Sequence, residues 1–155
     1  MMHRAPAFLP LTVDAAARLD AGLLLRQALV TDRAADECWT ALLAGCGTAA
    51  RRGLAPQLRR LSEATSEHVG VRWWFAEGTG HRRRVASAQE NLEDAIADGD
   101  GQEFALAFVG YDHAMASAVV ACPRRTRPSV PGQPGTAAER GSLRRQPRAP
   151  QGRRT

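Results

Sequence analysis

A chain of 155 residues has the length of one ordinary domain. Its net charge of +5 is unevenly divided, because residues 123–155 carry nine arginines against Glu139 alone (+8), whereas the first 122 residues carry 12 arginines against 15 acids (−3). The mildly acidic body argues against a basic nucleic-acid-binding domain, three cysteines without a CxxC pair give neither a disulfide framework nor zinc spacing, and no stretch is expected to cross a membrane.

Every basic residue is arginine, and Ile96 is the lone isoleucine. Codon usage in a GC-rich genome accounts for both, so the arginine count by itself says little about phosphate binding. The apolar run after Ala5 is interrupted by Asp14 and Arg18 and has no cleavage signature. A cytoplasmic protein with reduced thiols is therefore expected.

Residues 1–11 contain Pro6 and Pro10 and are expected to be extended. Thr12 can cap a first helix through Val30 that carries Val13, Ala16, Leu19, Leu23 and Leu24. Thr31 or Asp32 then restarts the chain. In the second helix Ala35, Cys38, Trp39, Leu42, Leu43, Cys46, Ala49 and Ala50 follow the i, i+3, i+4, i+7 rule. Gly45 and Gly47 weaken its middle, Arg51 and Arg52 suit its C-terminal dipole, and Gly53 stops it. Pro56 opens a third helix, with Leu58, Leu61, Ala64, Thr65 and His68 on one face.

Residues 69–75 read equally as helix or as a short extended piece, and 77–80 as a loop. The hairpin that follows is the best-defined unit. Val85, Ala88, Leu92, Ala95 and Ile96 stripe one helix, which Gly99 ends. Asp100 caps the next, with Glu103 completing a capping box. Phe104, Ala107, Phe108, Tyr111, Met115, Ala118, Val119 and Cys122 stripe that second helix. The link between them is so short that the two must be antiparallel. The predicted fold is all-α: a bundle of about five helices over residues 12–122, ending in an antiparallel αα-hairpin. A disordered tail rich in Arg, Pro and Gly follows over 123–155. GC-rich DNA read in another frame would give the same tail composition.

Three clusters are candidates for chemistry. In Gly78, Thr79, Gly80, His81, Arg82, Arg83 and Arg84, cations sit where a helix N-terminus disfavours them and lack acidic partners three or four residues on. Free amides and unpaired guanidiniums suit an anion, whereas the plain reading is a solvated helix start. Trp73, Trp74 and Phe75 cannot all enter one core, since consecutive side chains fan around a helix or alternate across a strand. One of them is a candidate interface anchor, with Trp74 as the trial position. His68, His81, Asp112 and His113 are weak metal candidates, because they match no ligand spacing. No catalytic motif and no cofactor signature is present. A helix-turn-helix near Gly45 is discounted because the helix is expected to continue there.

The leading expectation is a non-enzymatic interaction or regulatory protein that binds a protein partner or a second copy of itself. The alternatives are a nucleic-acid-associated protein using Arg82 to Arg84 with the tail, and a metal- or small-ligand-binding helical domain.

Overall fold

The computed structural model describes residues 5–45 and 47–121. The expectations for residues 1–4, Cys46, Cys122 and the arginine-rich tail lie outside the described residues. Among the described residues the fold is all-α, with no strand: α1 (Pro10–Arg18), α2 (Gly22–Ala44), α3 (Thr48–Val69), the one-turn α4 (Val71–Phe75), α5 (Thr79–Ala97) and α6 (Gly101–Ala121). Residues 69–75 thus resolve as helix rather than strand, after a turn at Gly70 with φ of 96°.

Two helix boundaries differ from the sequence expectation, and each difference has a local cause. The first break falls at residues 19–21 instead of 30–32. Asp20 takes a left-handed conformation (φ 53°), which Asp tolerates better than most residues. Asp20 N–H donates to Ala17 O and Ala21 N–H to Ala16 O, the bond pattern that closes a helix, here without glycine at the turn. The second break falls at Gly45 and Gly47, both left-handed (φ 69° and 86°). These glycines therefore separate two helices rather than weaken one.

Gly53 and Pro56 consequently lie inside α3. The helix continues through them because Leu54, Leu58, Leu61, Thr65 and Val69 form one buried stripe, and burying such a stripe outweighs the propensity cost of glycine. Arg51 and Arg52 sit near the start of α3, against its dipole, rather than at a C-terminus.

Of the residues expected to cap the first two helices, Thr12 and Asp32 bond instead to distant parts of the chain, and Thr31 bonds within its own helix. Thr31 is buried inside α2, and its hydroxyl donates to Gln27 O at 2.8 Å. Asp32 reaches back to the N-terminal segment, where its carboxylate accepts the amides of Ala7 (3.3 Å), Phe8 (2.7 Å) and Leu9 (2.9 Å). Thr12 lies within α1 rather than before it. The start of α1 is capped from α6: Asp112, only 4% exposed, accepts the amides of Leu11 (3.0 Å) and Thr12 (2.9 Å) and the Thr12 hydroxyl (2.7 Å). Pro10 and Leu11, expected to be extended, are helical because those carboxylates satisfy the orphan donors at the helix start.

These clasps seat Phe8 against an aromatic cluster. Its ring meets Trp39, Phe104 and Phe108 edge-on, at 5.9, 5.8 and 5.2 Å between centroids. The α5–α6 hairpin forms as the sequence predicts, but the capping box is only half made, because the Asp100 N–H donates to Ala95 O (3.0 Å) and not to the Glu103 side chain. Gly99 is left-handed (φ 65°), and Asp100 Oδ1 accepts the amides of Gln102 and Glu103. The core runs between this hairpin and the α2–α3 pair, with α1 against α2 and α6.

Candidate interaction surface

α6 is apolar around most of its circumference, which sets its position in the fold. One face enters the core through Phe104, Phe108, Tyr111, Met115, Ala118 and Val119. The opposite face should then be polar if it met only water, but it is not. Leu106, Val109 and Val120 stand 60%, 63% and 61% exposed on the outward side. From Phe104 to Ala121 the one charged residue is Asp112, and it is turned inward to clasp α1. By length and composition alone the helix could cross a membrane, although Asp112 interrupts its apolar run. Its inner face is nonetheless part of the bundle core.

Beside this ridge lies a groove of about 510 Å³ between α5 and α6. Its floor is made of small residues, including Ala88, Ala107, Gly110 and Ala114, with Arg84 and His113 among its other lining residues. The short turn at Gly99 sets α5 and α6 side by side, and the small residues leave the depression between them. Gly110 is not required by the chain's own packing, since a Cβ built there meets nothing within 4 Å.

The sequence candidates are dispersed. The anion segment does not converge on its glycines. The Gly78 and Thr79 amides are taken by Trp73 O (2.8 Å) and Ala76 O (3.2 Å). Gly78 is small because the Trp73 ring lies against it; a Cβ there would come within 2.6 Å of that ring. The Arg82 guanidinium stacks over Phe75 at 5.1 Å, and Arg84 lines the α5–α6 groove. Among the described residues, none of Arg82, Arg83 and Arg84 forms an ion pair.

Trp74 is not an exposed anchor. It is 4% exposed in the core, while Phe75 is 61% exposed and Val71 also faces outward. In a one-turn helix residues 71 and 75 share a face and 74 turns away from it. Trp73 is half-buried and stacks on His81 at 6.0 Å.

The four metal candidates lie in different environments, and no group of ligands that could hold a metal forms among the described residues. His68 borders a small cleft with Leu24 and Ala64, where burial depresses its pKa. Asp112 is committed to α1, and His113 is exposed on the outer face of α6.

Two buried ionisable groups lie on the apolar stripes that the sequence predicts. Tyr111 is fully buried, and burial pushes its phenol far above the ordinary value, opposed by the nearby Ser62 hydroxyl; its oxygen nonetheless lacks a well-formed hydrogen bond. Burial likewise raises the Cys38 thiol, with Arg51 opposing, so the sulfur stays protonated.

The break at Gly45 removes one of the two reasons for discounting a helix-turn-helix, the other being that Arg51 falls where that motif wants an apolar residue. However, α2 and α3 pack along one another as an αα-hairpin rather than crossing steeply as in the DNA-binding motif. No protein-family pattern matches the chain, and no curated protein or solved structure resembles it significantly.

Proposed function

We propose that this protein is a non-enzymatic helical interaction module that receives a partner helix on the outer face of α6. The observation that carries this reading is the charge-free face itself, with Leu106, Val109 and Val120 each about three-fifths exposed beside a groove of small residues. Exposed aliphatic side chains on one helix face, here separated by His113 and Ser117, are a feature of interaction sites. These aliphatic side chains, at i, i+3 and i+14 of one helix and beside a groove, offer apolar contacts to a docking helix. Cys38 is free and buried, which is compatible with a reducing compartment such as the cytoplasm.

The test is selection of amphipathic helical peptides from a library against the full chain immobilised at low density. Peptides retained by the native chain should be lost by Val109→Asp. Identical retention by both would refute the reading.

A second reading rests on the unpaired Arg82, Arg83 and Arg84. It predicts steeply salt-dependent binding of short DNA duplexes, weakened when all three become Gln. Equal binding by the two chains would remove these arginines from any nucleic-acid role.

A further inference from the structure

We infer that the corner made by α4 and the start of α5 docks on an anionic lipid surface, with Val71 and Phe75 entering the interface and Arg72, Arg82 and Arg83 meeting headgroup phosphates. This corner is separate from the outer face of α6, where the partner helix is placed.

Charge singles the corner out. Residues 70–84 carry four arginines against Glu77 (+3), whereas the rest of the first 122 residues carries eight arginines against 14 acids (−6). An acidic body with one basic corner turns that corner toward a negative surface. The chain's own acids do not satisfy these cations. Among the described residues Arg72, Arg82 and Arg83 form no ion pair. The Arg82 Nε is buried without a hydrogen-bond partner, and its guanidinium lies over the Phe75 ring at 5.1 Å. Arg82 and Arg83 also stand near the start of α5, where the helix dipole opposes a cation. An external anion offsets both deficits.

The apolar side chains select among negative surfaces. Positions 71, 72 and 75 fall within about 100° of one another around a helix, so Val71, Arg72 and Phe75 share the outward side of α4. Val71 and Phe75 are both more than half exposed. At the boundary between headgroups and acyl chains, such apolar groups sink while long cationic side chains reach back to phosphate. A nucleic acid would use the arginines but leave Val71 in water, and Arg82 already lies against the ring on which a base would stack.

The packing behind the corner holds this shape. Buried Trp74 fixes α4 to the core, Trp73 stacks on His81 at 6.0 Å, and Gly78 leaves room for the Trp73 ring. Phe75 stays outside although the two aromatics before it are drawn in. Two apolar side chains and three arginines give weak, reversible attachment rather than insertion.

The test uses the full chain with vesicles of phosphatidylcholine, pure or containing about one-third phosphatidylglycerol. The arginines beyond residue 122 also attract anionic vesicles, so the decisive readout is depth at residue 75. In a Phe75→Trp chain the added indole, measured over the signal of the native chain's three tryptophans, should shift its emission to shorter wavelength on anionic vesicles. It should also be quenched there by phospholipid brominated on the acyl chain, and neither change should occur on pure phosphatidylcholine. Phe75→Ala should weaken binding to anionic vesicles about tenfold, and Arg72, Arg82 and Arg83 together changed to Gln about a hundredfold. Val109→Asp, which tests the partner-helix reading, should leave vesicle binding unchanged.

An indole at position 75 that stays unquenched overturns the inference. So does equal vesicle binding by the native and Phe75→Ala chains. If the three Gln substitutions weaken binding of short DNA duplexes while vesicle binding ignores residue 75, the arginines serve a nucleic acid and the lipid surface is ruled out.

Discussion

Replacing Asp112 by alanine should unfasten α1 from the bundle. The carboxylate accepts two backbone amides and one hydroxyl, at 3.0, 2.9 and 2.7 Å, and Thr12 is fully buried. An ordinary N-cap replaced by alanine costs about 1 kcal/mol. Here the acceptor is a carboxylate, and its loss leaves a buried N–H without a partner, costing about 1–3 kcal/mol, and the Thr12 hydroxyl with only the long bond to the backbone carbonyl of residue 112 (3.4 Å). The expected loss is about 3 kcal/mol, a large fraction of the roughly 5–15 kcal/mol that holds a domain of this size. Urea unfolding followed by circular dichroism at 222 nm measures it. Asp112→Asn, which keeps one acceptor oxygen, should fall between the native chain and Asp112→Ala. Amide exchange at Leu11 and Thr12 should accelerate in step. Thr12→Ala combined with Asp112→Ala should cost less than the sum of the two changes, because both remove the same bond. A loss below about 0.5 kcal/mol for Asp112→Ala would refute the view that α6 caps α1.

Further outcomes follow from the same geometry. Asp32→Ala frees the amides of residues 7–9 and should speed their exchange, with a loss of about 1–2 kcal/mol; unchanged protection of Phe8 and Leu9 would count against the clasp. Trp74→Ala should cost about 3–5 kcal/mol as a core truncation, whereas Phe75→Ala should change stability by less than about 1 kcal/mol, and equal losses would contradict the inward turn of Trp74. Tyr111 is the sole tyrosine, so phenolate absorbance near 295 nm reports on it alone. Its pKa is raised in the folded state, so its contribution to stability is complete below the unfolded value near 10 and declines as pH rises beyond that. Phenolate should therefore appear only together with unfolding, and a phenolate signal near pH 10 in the folded chain would show that water reaches the ring.

The sequence alone determined the fold class and the last hairpin. Gly99 and Asp100 act through atoms within a few residues of themselves, so the turn and the cap they specify are written locally. The stripe of Leu58, Leu61 and Thr65 was legible for the same reason, since helical periodicity places those side chains on one face whatever lies opposite. The boundaries at Asp20 and Gly45 were not legible. A left-handed aspartate has no distinctive signature, and the competition between Gly45 and Gly53 as the helix stop is decided by which leucines the core takes.

Thr12, Thr31 and Asp32 look like caps in the sequence because their side chains can bond to nearby backbone. Tertiary contacts gave Asp32 and Asp112 amides that are more than twenty and about a hundred residues away. The interaction face was hidden by the same limit. In the sequence α6 reads as a core helix, and its apolar residues cannot be sorted into inner and outer. Only the packed bundle, by covering Phe104, Phe108 and Met115 and leaving Leu106, Val109 and Val120 in solvent, separates those that hold the fold from those left to meet another helix.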